Sequence, residues 1–116
     1  MANHADKERR KYPRITANFV ISYRIKERPG DYDLSQTKNI SQGGMLLTTN
    51  KPFKKGICLA MYIRFPLIPQ KITVTCEVVN SKEIVRDLIY ETRLKYLDLN
   101  EDFFLKLGEF IQENLR

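Results

Sequence analysis

One periodicity constrains the fold of this chain more than any other feature. Between Thr16 and Tyr96, short runs of β-branched and aromatic residues recur, each cut off by Gly, Pro, Asn or Asp. Such runs favour strands, and the residues that interrupt them favour turns. In ITANFVISYRI, Phe19, Ile21 and Tyr23 alternate with Val20, Ser22 and Arg24, so one face can be buried. RPGDYD then turns, DLSQTKNI is polar, and SQGG breaks the chain again before the strand MLLTTN. KPFKKG is a third turn, and ICLAMYIRF is a strongly apolar strand closed by PLIPQ. ITVTCEVVNSK sets Ile72, Val74, Cys76 and Val78 on one side, and Ile84 to Tyr96 continues through a turn at Arg86 and Asp87.

After residue 100 the period changes. Phe103, Phe104, Leu107, Phe110, Ile111 and Leu115 recur at helical spacing. Asn100 can cap such a helix, and Glu101 and Asp102 suit its positive end. The expectation is one amphipathic helix over about 101–115, weakened modestly by Gly108, with its apolar stripe in the core. Short strands followed by one helix indicate an all-β domain, an antiparallel barrel with a C-terminal α-helix laid on it.

The 116 residues suit one domain, and 42% hydrophobic with 29% charged residues is ordinary for a globular chain. No apolar run approaches a membrane span and no signal peptide opens the sequence, so a cytoplasmic location without membrane insertion is expected. Cys58 and Cys76 form no CxxC pair and read as reduced, small apolar residues in strands. Residues 1–28 hold eight Lys/Arg against three Asp/Glu, which is +5 of the net +6. We expect residues 1–15 to be a flexible basic arm, extended around Pro13, and residues 16–116 to form the barrel and helix. Such a charged head suits an anionic partner, or is only a solvated tail. Charge alone favours the tail.

Two motifs carry chemistry. Arg10 and Arg14 form RxxxR, with Arg9 just before. An arginine fork grips phosphate oxygens or the O6/N7 edge of guanine, and its flat face stacks on purines. Taken singly, surface arginines are common. The second motif is Asn39-Ile40-Ser41-Gln42-Gly43-Gly44. Asn39 and Ser41 can read a base edge or ribose, and Gly43 and Gly44 permit positive φ and close ligand approach. The alternative is a plain turn in which Asn39 and Ser41 bond their own backbone, and taken alone that is the stronger reading. His4 stands in the arm without metal partners, and Asp31 and Asp33 read as a solvated turn. No catalytic residue, metal site or cofactor is expected, and the chain does not read as an enzyme.

RKYPR followed by NISQGG, with one strand between, resembles the PilZ family, which pairs RxxxR with [D/N]xSxxG. The matches are Arg10 and Arg14, then Asn39, Ser41 and Gly44. The strand succession and the YLDLNEDFFLKLGEFI helix extend the similarity over roughly residues 9–115. The resemblance implies a six-stranded antiparallel β-barrel of the split-barrel type that receives cyclic di-GMP and signals to a downstream protein. It implies that Arg10 and Arg14 contact phosphates and guanine. Asn39, Ser41, Gly43 and Gly44 would form the wall beneath, and Arg9 occupies the position linked to binding one nucleotide or a stacked pair. Asn39 replaces the commoner Asp, and IYETRLKYLDL lacks a glycine often found before that strand. The arm is expected to order against the barrel mouth on binding. Two alternatives stand beside this reading: a PilZ-like protein adaptor that has lost the nucleotide, and a basic barrel for single-stranded nucleic acid. The second needs exposed aromatics, whereas Tyr62 and Phe65 read as core, so nucleic acid is disfavoured.

Overall fold

The structure, a computed structural model, describes residues 11–28, 30–65 and 68–115. In chain order they form β1 (Ile15–Thr16), β2 (Val20–Ile25), β3 (Asp33–Ile40), β4 (Gly44–Thr49), β5 (Cys58–Phe65), β6 (Ile68–Val85), β7 (Ile89–Tyr96) and α1 (Glu101–Asn114). Strands β3, β2, β5, β6, β7 and β4 are hydrogen-bonded in that order, every pair antiparallel. β4 then pairs with β3, which closes the expected six-stranded barrel and leaves no open edge. The short β1 continues beside β3 where β2 stops: β2 pairs with Asp33–Gln36 and β1 with Asn39 and Ile40.

Alternation fills the barrel. Ile21, Tyr23, Met45, Leu47, Leu59 and Met61 are buried, as are Ile63, Val74, Cys76, Val78 and Leu94 from the remaining strands. Their neighbours along each strand point outward, as a period of two requires. Cys58 and Cys76 are both free thiols. Burial pushes the Cys76 thiol well above its ordinary pKa, with Asp98 and Cys58 adding to the shift.

Several segments differ from the sequence reading. The polar stretch DLSQTKNI is a full strand, β3, with only Thr37 and Ile40 buried. Its backbone bonds to neighbours on both sides, so pairing sets its conformation and not side-chain burial. ITANFVISYRI divides into β1 and β2 because Thr37 staples the link between them. The Thr37 hydroxyl accepts from Phe19 N–H (2.9 Å) and donates to Ala17 C=O (2.6 Å). PLIPQ is not wholly a closing turn, since β6 already begins at Ile68. Tyr62 is not core: Met61 and Ile63 take the inward positions beside it and turn it to the outer face. The Phe65 side chain lies outside the described set. The turn expected at Arg86 and Asp87 is present, with Asp87 at φ 60° and Leu88 N–H bonded to Val85 C=O (2.9 Å).

Asn100 caps α1, its side-chain oxygen accepting from Phe103 N–H (3.1 Å), and Leu115 is the C-cap. Phe103, Leu107 and Ile111 bury the apolar stripe. Each such side chain contributes about 1.5–3 kcal/mol on burial. Phe110 meets the Phe19 ring at 5.5 Å, and the Gln42 amide donates to Phe104 C=O (2.9 Å). The helix therefore lies at the end of the barrel where β3 turns into β4.

Candidate functional site

The β3–β4 turn positions the second motif. Ser41 is 8% exposed, and its hydroxyl accepts from Gly43 N–H (3.0 Å) and Gly44 N–H (3.2 Å). Ser41 N–H bonds Gly44 C=O (2.9 Å) and closes the turn. The self-bonding geometry weighed for Ser41 is thus present. Neither Gly43 nor Gly44 is among the residues with positive φ. Their lack of a side chain serves close approach instead. A Cβ on Gly44 would overlap the Leu94 carbonyl of β7, and one on Gly43 would sit 3.2 Å from the Tyr12 ring. Asn39 is half-buried on the outer face of β3, beside a bulge between Thr37 and Asn39.

Tyr12 packs over Gly43 and meets the Phe104 ring edge-on at 5.7 Å, so it touches both the turn and the helix. Lys11 Nζ lies 5.5 Å from the Tyr12 centroid. This brings Arg14 to the same cleft as Asn39, Ser41, Gly43 and Gly44, a cavity of about 390 Å³. Arg9 and Arg10 lie outside the described residues, as does His4. The cleft is on the outer wall, not at the mouth: Asn39, Arg93 and Lys95 point outward while Ile40, Thr92 and Leu94 point in.

Sequence reasoning missed the far wall. Val79, Arg93 and Lys95 line it. Val79 is thrust out at a bulge between Val78 and Asn80, and the register Leu46↔Arg93, Gly44↔Lys95 sets both cations beside the turn. Alternation in ETRLKY showed that Arg93 and Lys95 share a face, but only the β4–β7 pairing puts that face next to Gly44. The lining holds Lys11, Arg14, Arg93 and Lys95, and no Asp or Glu among the described residues. A second cleft of similar volume includes Asp102, which is committed to Lys106 at 3.2 Å. Only the first has a purely cationic lining with amide and hydroxyl groups, which suits an anion bearing polar edges. Among the described residues no three His, Cys, Asp or Glu gather to hold a metal, and no helix is long and apolar enough to cross a membrane.

The family profile of the PilZ domain matches residues 8–113. A comparison with curated proteins returned no match. Among solved structures, the inhibitor of motility MotI/DgrA from Bacillus subtilis superposes with a TM-score of 0.76 at 21% identity, covering 91% of this chain and 51% of that one. The PilZ domain of YcgR from Escherichia coli, solved with c-di-GMP, gives 0.67 at 16% identity over 90% of each chain. The K. pneumonia MrkH–c-di-GMP complex gives 0.65 at 21% identity over 91% of this chain and 52% of that one. The chain thus spans about half the length of two of these neighbours.

Proposed function

The chain belongs to the PilZ family, and from that membership we propose that it is a cyclic di-GMP receptor that passes the binding event to a protein partner. One observation carries the reading: residues from both motifs line one cleft free of carboxylates among the described residues. Arg10 and Arg14 hold phosphates and guanine, with Arg9 beside them. Asn39 presents its amide to the base or ribose. Ser41, Gly43 and Gly44 shape the floor, with Ser41 acting chiefly by holding the turn. The protein is a cytoplasmic binding module, not an enzyme. Ligand phosphates draw the basic arm onto the outer wall, and the ordered arm with its nucleotide forms the surface a partner reads. Ordering costs conformational entropy, so charge-assisted bonds must exceed it.

Calorimetric titration of the full chain with cyclic di-GMP, with GTP and GMP as controls, tests this. Saturable binding selective for the dinucleotide is expected. Arg14→Ala should lose about 1.5–3 kcal/mol, roughly ten- to a hundredfold in affinity. An inert protein would leave the nucleotide-free adaptor as the better account.

One observation favours the second alternative, single-stranded nucleic acid. Tyr62 and Tyr32 lie on the outer face with ring centroids 5.1 Å apart, Arg24 5.3 Å from Tyr32 and Lys71 5.4 Å from Tyr62. Exposed rings beside cations are what such proteins use. Here each ring already carries a cation, and Tyr32 holds the β2–β3 loop to the wall, so this reading ranks below both the receptor and the nucleotide-free adaptor. Oligonucleotide binding that weakens steeply with salt would promote it.

A further inference from the structure

Three side chains of β7 point outward in succession: Glu91, Arg93 and Lys95. Two are committed to neighbours. Glu91 pairs with Lys38 at 3.2 Å, and Lys95 pairs with Glu77 at 3.6 Å. Arg93 between them is half-buried and has no ion-pair or hydrogen-bond partner among the described residues. A half-buried guanidinium has given up part of its hydration and gains it back only from acceptors. The cleft lining holds no carboxylate among the described residues, and the Glu91 and Glu77 carboxylates on the same wall are already paired with Lys38 and Lys95, so the fork stands open to a ligand's acceptors.

Its position defines what that ligand can be. Asn39 pairs with Leu46 and Leu46 pairs with Arg93, so Asn39 and Arg93 stand on one outer row, two strand spacings apart. At about 4.8 Å per spacing the backbones are roughly 10 Å apart. That separation takes a flat heterocycle or a sugar-phosphate unit between an amide and a guanidinium. Unlike Arg14, which precedes the barrel, Arg93 is fixed in the middle of a paired strand. It therefore needs no ordering before it binds.

We propose that Arg93 is a third arginine of the nucleotide site, gripping the dinucleotide from the barrel wall opposite Asn39 through a fork that fits phosphate oxygens or the O6/N7 edge of guanine. This rests on the cyclic di-GMP reading above. It makes β7, which carries neither sequence motif, a determinant of affinity.

Calorimetric titration of the full chain with cyclic di-GMP separates the possibilities, using wild type, Arg93→Ala, Arg93→Lys, Arg93→Gln and Lys95→Ala. Arg93→Ala is expected to lose at least tenfold in affinity while its ligand-free melting temperature stays within about 2 °C of wild type. Arg93→Lys should recover part of the loss, because it restores charge without the fork. Lys95→Ala should change affinity less than threefold, since Lys95 is already paired with Glu77. If Arg93→Ala folds poorly, Arg93→Gln keeps the stem and carries the same expectation. Titration with cyclic di-AMP assigns the contact. Loss of discrimination in the Arg93 variants points to guanine, and an equal loss for both ligands points to phosphate. A wild type that binds while Arg93→Ala and Arg93→Gln bind within twofold of it overturns this inference alone. Equal losses from Arg93→Ala and Lys95→Ala also overturn it, because a diffuse positive field would then suffice. A wild type that ignores cyclic di-GMP overturns the functional reading and this inference with it.

Discussion

Gly44 shows how far a residue's chemistry was readable before the fold was known. The NxSxGG spacing marked the position, but not its cause. The glycine lies against the Leu94 carbonyl, and backbone cannot yield as a side-chain tip can. Gly44→Ala must therefore part β4 from β7, and we expect a loss of about 1–3 kcal/mol or more. Urea denaturation should show a lower midpoint at unchanged slope. A midpoint equal to wild type would mean the strands move apart freely. Tyr23 and Tyr96 make a second residue-scale case. Burial, with Asp33 adding, pushes the Tyr23 pKa up to about 12, and burial also raises that of Tyr96. The unfolded chain gives up these protons near pH 10. Their contribution to stability is complete below that pH and declines as pH climbs, for Tyr23 over the interval from about 10 to about 12. Melting temperatures measured from pH 8 to 12 should fall over that interval, and less so for Tyr23→Phe. A flat profile would contradict the burial.

At the scale of elements, α1 was legible almost to the residue, because cap, first-turn acids and apolar stripe are all local. β3 was not, because its strand character comes from its partners, residues 15–16 of β1, 20–23 of β2 and those of β4, and its own side chains are mostly polar. Gly108 was read only as a weakness in the helix. The structure gives it a reason: a Cβ there would overlap the Gln42 amide, which crosses the helix to reach Phe104 C=O. Gln42 belongs to the motif turn, and Tyr12 touches the ring of the same Phe104. One residue of α1 thus holds both the arm and the turn, so the helix is placed to sense occupancy of the cleft. Gly108→Ala gains about 1 kcal/mol of helix propensity but displaces the Gln42 amide, whose bond is worth about the same. The single change should be near neutral. In a Gln42→Ala background nothing stands in the way, and Gly108→Ala should stabilise by about 0.5–1 kcal/mol. A double-mutant cycle in thermal unfolding with no coupling between the two sites would break the link.

Across the whole molecule, barrel closure does what no local pattern could announce. It gathers lining residues from four segments spread over most of the chain, within 11–14, 39–45, 79 and 93–95, around one cleft. The motif segments were visible in the sequence because each is contiguous. Arg93 and Lys95 were not, because they reach the site only through the β4–β7 register. A ligand held by segments this far apart in sequence binds the folded state and has no site on the unfolded chain. Its binding must then raise the melting temperature of the entire barrel. At a hundredfold excess over Kd the gain is about 2.7 kcal/mol, a shift on the order of ten degrees for a domain of this size. Arg14→Ala should shift less than wild type at equal ligand when each is measured against its own ligand-free melting temperature. A wild-type shift matched by Arg14→Ala would show that the nucleotide is held elsewhere on the barrel. A shift from GTP as large as from cyclic di-GMP would show that the cleft reads triphosphate charge and not the two-guanine ring.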